Sequence, residues 1–407
     1  MTPQQRYHSI MKSPTTSNHS ATILHIAPTP FFANRGCHIR IRNEVEALQK
    51  MGWRCIVCTY HHGNDVAGID IRRISGIPGY NKTTAGYSPF KFLADILLFF
   101  QVLKTIRKKR PSILHGHLHE GALIAWAAAR CFPGRHMQVV MDMQGSLSGE
   151  LQAYGAFRNP MLLVLFRSLE RWIDRLPDKI VCSSVQARQM AIDMFQVPEH
   201  RITWLGDVVP DRFFRQGPLP DAVPSGVIPS GRFVVVYAGS LLPAKGVDRV
   251  LDAIRRMTVY RDRICFVLIG YPEDPVRRFV EENRLKDMCL VPGEVPYDRL
   301  AGWLQAADLG IEPKWSDSGE ASGKLMHYMA SGLPVVCFDL PFNRFLAAES
   351  AYYVDPGRPQ AMVEAVLEAM KDREGRIEKG RCARERAKEL FSSEALGERL
   401  IRLYGLG

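Results

Sequence analysis

Three neighbouring residues with chemical potential stand directly before a short helical pattern. Ser322, Gly323 and Lys324 precede apolar residues that recur at the spacing of a helix face. These apolar residues are Leu325, Met326 and Met329. The first N–H groups of a helix carry partial positive charge, and small residues let an anion approach them closely. The stretch therefore predicts an anion-binding loop in which Lys324 supplies a cation.

The residues after this helix predict how the loop is positioned. Gly332 stands where the glycine that ends a helix belongs. Residues 335–338 form an apolar run of four, which is typical of a strand buried inside a parallel sheet. The anion-binding loop is therefore expected to precede a helix that leads into a central strand.

A second group with chemical potential is a set of alternating histidines. His115, His117 and His119 lie at every second position of SILHGHLHEG, so on a strand they would share one face. Imidazole is the commonest transition-metal ligand, so one hypothesis is a metal site. The other is a set of strand-end histidines beside a substrate, with at least one facing an active cleft. No acidic or cysteine cluster follows at ligand spacing, which favours the second hypothesis.

Composition and charge limit the class of protein. A chain of 407 residues exceeds one typical core, so two domains are expected. Residues 1–215 hold 27 Lys and Arg against 15 Asp and Glu, and this half accounts for the whole net charge of +11. It is therefore expected to face an anionic surface or polyanion, whereas nucleic acid is not expected as a partner. Nine cysteines, an odd number, and the absence of a secretory signal in residues 1–20 predict a reducing, cytoplasmic location.

Residues 88–110 predict a helix with a broad aromatic and leucine face and a basic end. One interpretation is a core-packed helix whose cationic C-terminus complements its dipole. The other is docking on an anionic membrane, with Phe92, Phe99 and Phe100 inserted beside the basic residues 104–110. The second interpretation would place a cytoplasmic protein peripherally on the inner face of the membrane.

Alternating strand and helix patterns predict an α/β fold with two doubly wound parallel domains that face each other across a cleft. Gly36 stands at the first loop-to-helix turn, where it could let the backbone approach a ligand, the alternative being a glycine with a purely structural role. The expected parts are a disordered lead-in, a first domain, a Pro- and Gly-rich linker, a second domain and a C-terminal helix that can cross back to the first domain. Their bounds are 1–20, 21–215, 216–231, 232–390 and 391–407.

The second half resembles the retaining glycosyltransferases of family 4, which have the GT-B fold. The resemblance rests on VVYAGSLLPAKGVDRVLDAI, VPGEVPYDRLAGWLQAADLGIEP and GKLMHYMASGLPVVCFDLP, and it spans nearly all of residues 232–407. The first half resembles the family more weakly, through the loop APTPFFANRG, the strand end HGH and the segment VCSS.

The resemblance implies a nucleotide-sugar donor held mainly by the second domain. Lys245 corresponds to the family lysine that contacts the donor diphosphate. Gly239 corresponds to the glycine that directly precedes the family's arginine. Ser240 replaces the family's arginine, so Lys324 is expected to compensate for the missing cation. His117 falls near the family histidine that approaches the donor sugar.

The family's two signature glutamates are replaced here. Their positions hold Gly319 and His327. Glu320, one position away, is one candidate for the first glutamate. His327 is a candidate to bind a ribose hydroxyl, the alternative being a plain helix-face residue.

The predicted function is transfer of a sugar, with retained configuration, from a nucleoside diphosphate sugar to a hydroxyl group. His117, Lys245 and Glu320 are the expected catalytic residues, and no metal or other cofactor is expected. The acceptor is expected to be a glycan or a lipid-linked molecule in glycan, polysaccharide or glycolipid synthesis. The alternatives are a metal-dependent hydrolase built on the histidine row, a GT-B enzyme that epimerises or phosphorolyses sugars, and a non-catalytic sugar-nucleotide binder.

Overall fold

A computed structural model describes residues 21–33, 36–81, 88–146, 160–217, 223, 226–315 and 323–406. Two compact units divide the chain. The first comprises Met1–Cys182, Ala191–Leu205 and Gly397–Gly407, and the second comprises Ser183–Met190 and Gly206–Leu396. The predicted lead-in at 1–20 lies outside the described residues, as does part of the predicted linker.

The first unit contains a parallel sheet, which has seven strands within the described ranges. The strands are β1 (Thr22–Ala27), β2 (Arg54–Thr59), β3 (Asp70–Arg73), β4 (Ile113–His117), β5 (Gln138–Met143), β6 (Lys179–Cys182) and β7 (Ile202–Trp204). Their order is β3-β2-β1-β4-β5-β6-β7. The helices between these strands are α1 (Gly36–Lys50), α2 (Phe90–Lys109), α3 (Leu118–Arg130), α4 (Pro160–Ile173) and α5 (Val185–Asp193), and α5 belongs to the second unit up to Met190. Apolar runs form the central strands because both faces of a parallel sheet are covered.

The second unit repeats the plan. Its strands are β8 (Phe233–Ala238), β9 (Ile264–Ile269), β10 (Cys289–Gly293), β11 (Leu309–Glu312), β12 (Val335–Phe338) and β13 (Ala351–Val354), in the order β10-β9-β8-β11-β12-β13. Its helices are α6 (Val247–Arg256), α7 (Asp274–Glu282), α8 (Tyr297–Gln305), α9 (Gly323–Ala330), α10 (Pro341–Ala347), α11 (Pro359–Lys371) and α12 (Arg373–Phe391). Helix α13 (Ser393–Tyr404) follows, and its residues from Gly397 onward belong to the first unit. The two parallel sheets confirm the predicted doubly wound class.

The strand order reverses at β1 in the first sheet and at β8 in the second. At such a point successive connections leave in opposite directions, and a crevice opens at the C-terminal ends of the strands. The two places where a ligand is expected are therefore the ends of β1 and β4 and the ends of β8 and β11.

The predicted histidine row is wrong in one member. Strand β4 ends at His117, and His119 lies in the first turn of α3. There its Nε2 is 3.4 Å from Asp174 and 3.5 Å from Glu170, two buried carboxylates of the first unit. The chain changes from strand to helix after His117, so the two-residue alternation stops before it reaches His119.

Helix α2 combines both predicted faces. Leu98, Val102 and Ile106 are fully buried, whereas Phe92 and Phe100 are 75% and 59% exposed. Phe99 is partly buried against the core. None of the helices in the described ranges is both long and apolar enough to cross a membrane.

Candidate functional site

The loop after β8 is fixed by unusually close backbone contacts. The Gly239 N–H donates to the Ile269 carbonyl at 2.9 Å, and the Tyr237 hydroxyl donates to the Ser240 carbonyl at 2.6 Å. Gly270 has a φ of +145°, and a Cβ there would lie 1.7 Å from the Gly239 oxygen. The predicted residues Gly239 and Ser240 therefore belong to a rigid turn at the C-terminal end of the second sheet.

Lys245 is positioned by the glycine that follows it. Residues Pro243–Lys245 form one 3₁₀ turn, and Gly246 then takes a φ of +84°. A Cβ at Gly246 would lie 2.3 Å from the carbonyl oxygen of Pro313, the residue after β11. The turn that carries Lys245 lies directly against the end of β11, so only glycine fits at position 246.

Lys324 lies in the first turn of α9 and pairs with a carboxylate that the sequence analysis missed. Its Nζ is 3.3 Å from Oε1 of Glu312, the last residue of β11, and the two side chains are 15% and 1% exposed. The same oxygen accepts the Lys314 N–H at 3.0 Å. The sequence feature that could have identified this carboxylate is the acidic residue at the end of the apolar strand LGIE.

The Lys324 side chain also packs on the loop after β8. Its Nζ lies 5.2 Å from the centre of the Tyr237 ring, within reach of a cation–π contact. A Cβ at Gly239 would lie 2.7 Å from the Lys324 Cδ, so glycine makes room for the lysine stem. The structure thus brings Gly239, Lys324 and Glu312 together.

His327 is held one turn further along α9. Its Nε2 is 2.7 Å from the Tyr297 hydroxyl, its Nδ1 is 2.5 Å from the Gly323 carbonyl, and the Phe213 ring lies 4.6 Å away. Burial lowers the pKa of His327, so the ring is neutral at pH 7. Nδ1–H then donates to the carbonyl and Nε2 accepts from Tyr297. A contact of His327 with a ribose hydroxyl stays a prediction.

Three predicted positions of the loop lie outside the described residues. They are Gly319, Glu320 and Ser322. Gly323 begins α9 and is exposed, as an anion contact at the helix N-terminus requires. The roles of Glu320 and Ser322 stay predictions.

His117 lies at the C-terminal end of the first sheet and is fully buried. Its Nδ1 is 3.0 Å from Asp142 and its Nε2 is 3.0 Å from Nδ1 of His25. Both ring nitrogens are thus used within the first unit. Gly36 begins α1, and a Cβ there would have no described neighbour within 4 Å, so the packing of this part of the fold does not require glycine.

Asp142 and Arg40 form a buried ion pair beside His117. Arg40 donates to the carboxylate of Asp142 at 2.9 to 3.1 Å and to the Leu205 carbonyl at 3.1 Å. Burial alone would raise the pKa of Asp142, but the Arg40 charge and the His117 hydrogen bond hold it well below its usual value. Sequence reasoning missed this pair because its members are 102 residues apart.

Comparison with known proteins places both halves in one group. A family model described as Glycosyltransferase Family 4 matches residues 35–206, and one described as Glycosyl transferases group 1 matches residues 232–372. The D-inositol 3-phosphate glycosyltransferase of Thermobispora bispora is 23% identical over 220 residues, which are 51% of this chain and 50% of that protein. The chain therefore spans about half the length of this relative.

Two solved structures match nearly the whole chain. A sucrose-phosphate synthase from Thermosynechococcus elongatus has a TM-score of 0.73 at 17% identity, over 95% of this chain and 98% of its own. Anabaena HepE, described in complex with UDP and glucose, has a TM-score of 0.70 at 15% identity, over 94% and 99%. At this identity the likeness shows the fold, and it confirms the predicted GT-B class of two Rossmann-like units.

Proposed function

Because the chain belongs to glycosyltransferase family 4 of the group 1 enzymes, we propose that it transfers a sugar from a nucleoside diphosphate sugar to a hydroxyl group. We propose further that the anomeric configuration is retained. The observation that carries the proposal is the pairing of Lys324 with Glu312 at the C-terminal end of the second sheet. The bound UDP and glucose described for the HepE structure support this choice of donor class.

In this proposal the second unit stabilises the departing diphosphate. Breaking the bond between the sugar and the diphosphate leaves negative charge on the phosphate oxygens. A preorganised cation lowers the barrier most, because it does not have to reorganise as the charge develops. Tyr237 and the loop after β8 already hold Lys324 in place, and Gly246 fixes the turn that carries Lys245.

Glu312 gives this chain a way to carry a second cation without the family's arginine. In the absence of donor, the carboxylate offsets the cost of placing Lys324 where it is 15% exposed. A diphosphate that reaches Lys324 would compete with Glu312 for the ammonium group. No metal or other cofactor is required for this role, since cations and helix N–H groups supply the positive charge.

Each remaining predicted residue has its own proposed contact with the donor. Ser322 and Gly323 would offer N–H groups to the diphosphate, Glu320 would contact the donor sugar, and His327 would bind the ribose. His117 would reach the donor only if its contacts with Asp142 and His25 opened. Gly36 would let the first unit's backbone approach the ligand.

We propose a glycan or lipid-linked acceptor, reached from an anionic membrane surface. On α2, Leu93 and Ile96 are exposed beside Phe92 and Phe100, and the last turn of this helix is basic. Helix α4 also exposes apolar side chains: Val164, Leu165, Leu169 and Trp172. Inserted apolar groups and nearby cations together give stable binding to anionic lipid.

Flotation with vesicles tests the membrane part of the proposal. The wild-type chain should float with vesicles that contain anionic lipid, and Phe92→Ser/Phe100→Ser should float much less. Ile377→Ser, which removes a 62% exposed apolar side chain of the second unit, is the matched control. Equal recovery with neutral and anionic vesicles would reject the anionic surface.

Product analysis tests the reaction itself. The chain is incubated with a panel of labelled nucleoside diphosphate sugars, without added divalent cations, and released nucleotide and transferred sugar are measured. The anomeric proton of the product should show the same configuration as the donor. Inversion would reject retention, and binding without any turnover, even to water, would favour the non-catalytic binder.

A further inference from the structure

Four buried side chains of the types that bind metal ions lie together in the first unit, next to the end of β4. His25 on β1 pairs in register with His115 on β4, and His117 follows two residues later on the same face. Glu44 reaches the group from α1. The histidines are 0% exposed and Glu44 is 1% exposed.

The donor atoms of these residues are close enough to share one ion. One ligand atom from each of the four lies within 4.8 Å of the ligand atoms of the others. His25 Nδ1 is 3.0 Å from His117 Nε2, and His115 Nε2 is 3.9 Å from Glu44 Oε2. Two nitrogens bound to one zinc ion at about 2.1 Å lie about 3.0 to 3.4 Å apart. One pair already has this separation, and binding would draw the others in by about 1 Å.

Two of the histidines are already oriented as metal ligands usually are. His117 Nδ1 contacts the Asp142 carboxylate at 3.0 Å, and His115 Nδ1 contacts the Tyr404 hydroxyl at 2.7 Å. Metal-bound histidines commonly use their second nitrogen in this way, which fixes ring orientation. His115 Nε2 is a buried nitrogen without a hydrogen-bond partner among the described residues, whereas His117 Nε2 would exchange its contact with His25 Nδ1 for the ion.

The local charge also favours a cation. Glu44 and Asp142 share the Arg40 guanidinium, at 3.2 Å and 2.9 Å, so these three groups carry one net negative charge. A divalent ion bound to the imidazole nitrogens would supply positive charge beside this buried negative charge.

We propose that His25, His115, His117 and Glu44 bind one divalent transition-metal ion in a structural site. Three imidazoles and a carboxylate form a nitrogen- and oxygen-rich set of four, which suits tetrahedral Zn²⁺. The ion joins β1, β4 and α1 beneath the end of the first sheet. The inference does not rest on the proposed sugar transfer, but it competes with a catalytic role of His117, because a bound ion would hold this ring away from a donor.

The first experiment measures metal in the full chain. Protein purified from zinc-containing medium should retain zinc in a stoichiometric amount after gel filtration. Metal-depleted protein should take up Co²⁺ with the visible absorption bands of a tetrahedral site, and added Zn²⁺ should remove these bands and raise the melting temperature. Metal-free wild-type protein that shows neither bands nor a melting shift would overturn the proposal.

Variants then locate the ion. His115→Ala and His25→Asn should lose the cobalt bands, whereas His200→Ala, at an exposed histidine of the same unit, should keep them. Equal cobalt spectra in all three variants would also overturn the proposal, since the ion would then lie elsewhere. If a ligand variant fails to fold, the spectrum and metal content of the wild-type chain still decide. Donor binding is not part of any readout, so failure here is distinct from failure of the transferase proposal.

Discussion

Replacing Glu312 by glutamine separates two roles of the Lys324–Glu312 pair, because glutamine keeps the shape and an acceptor oxygen but removes the charge. At 3.3 Å the gross attraction is about 5 kcal/mol for an effective dielectric constant of about 20. Desolvation of the buried carboxylate offsets much of this attraction. The remaining acceptor can still bind the Lys314 N–H. We therefore expect a net loss of about 2 kcal/mol in the free energy of unfolding of the second unit.

Donor affinity should change in the opposite direction. Without Glu312 the Lys324 ammonium no longer has a competing carboxylate, so Glu312→Gln should bind a nucleoside diphosphate about three- to tenfold more tightly, a gain of about 1 kcal/mol. Calorimetric titration with UDP, GDP and ADP at low ionic strength measures the affinity, and a thermal melt measures the stability. Glu364→Gln, which removes an exposed carboxylate paired with Arg358, is the control. Unchanged or weaker diphosphate binding in Glu312→Gln, together with an unchanged melt, would show that Glu312 neither competes for Lys324 nor stabilises the second unit.

Two further predictions concern the backbone and pH. Gly246→Ala should lower the free energy of unfolding by about 3 kcal/mol and weaken diphosphate binding, whereas the control Gly226→Ala should lower it by about 1 kcal/mol. Both glycines have a φ near +85°, but only a Cβ at Gly246 would strike the Pro313 oxygen. Equal losses of melting temperature in the two variants would contradict this prediction. Burial raises the pKa of Asp95 to about 7. The Tyr60 hydrogen bond and the Lys91 charge lower this pKa, and the Glu120 charge raises it. Its unfolded value is about 3.9, so the folded state binds more protons between these values, and stability falls as the pH rises from about 4 to 7. Asp95→Asn, which keeps an acceptor for the Tyr60 hydroxyl, should flatten this slope in denaturant unfolding, and an unchanged slope would reject the assignment.

The local parts of the fold could be predicted from the sequence. Apolar runs and helical spacing identified β12 and α9, and Gly332 has the positive φ of +69° that its predicted position at the helix end requires. These features depend on a few neighbouring residues, whose periodicity and conformational preferences are visible in the chain.

The parts that depend on distant residues could not be predicted. His25 joins His115 and His117 only because β1 pairs with β4, and the contacting histidines are 92 residues apart. Glu312 could be recognised as part of the site only through its contact with Lys324, a residue of the helix that follows β11. The helical position of His119 was also not predicted, because the alternating pattern does not show where β4 ends.

We propose that Lys245 and the Lys324–Glu312 pair form the donor diphosphate site. Calorimetric titration of the best-binding nucleoside diphosphate tests it most directly, in the wild-type chain, in Lys245→Ala and in Glu312→Gln/Lys324→Gln, which removes the second cation without leaving a buried carboxylate unpaired. We predict saturable binding to the wild-type chain and at least tenfold weaker binding in each variant, a loss of about 1.4 kcal/mol or more. Wild-type affinity in both variants, with folding intact, would contradict the account.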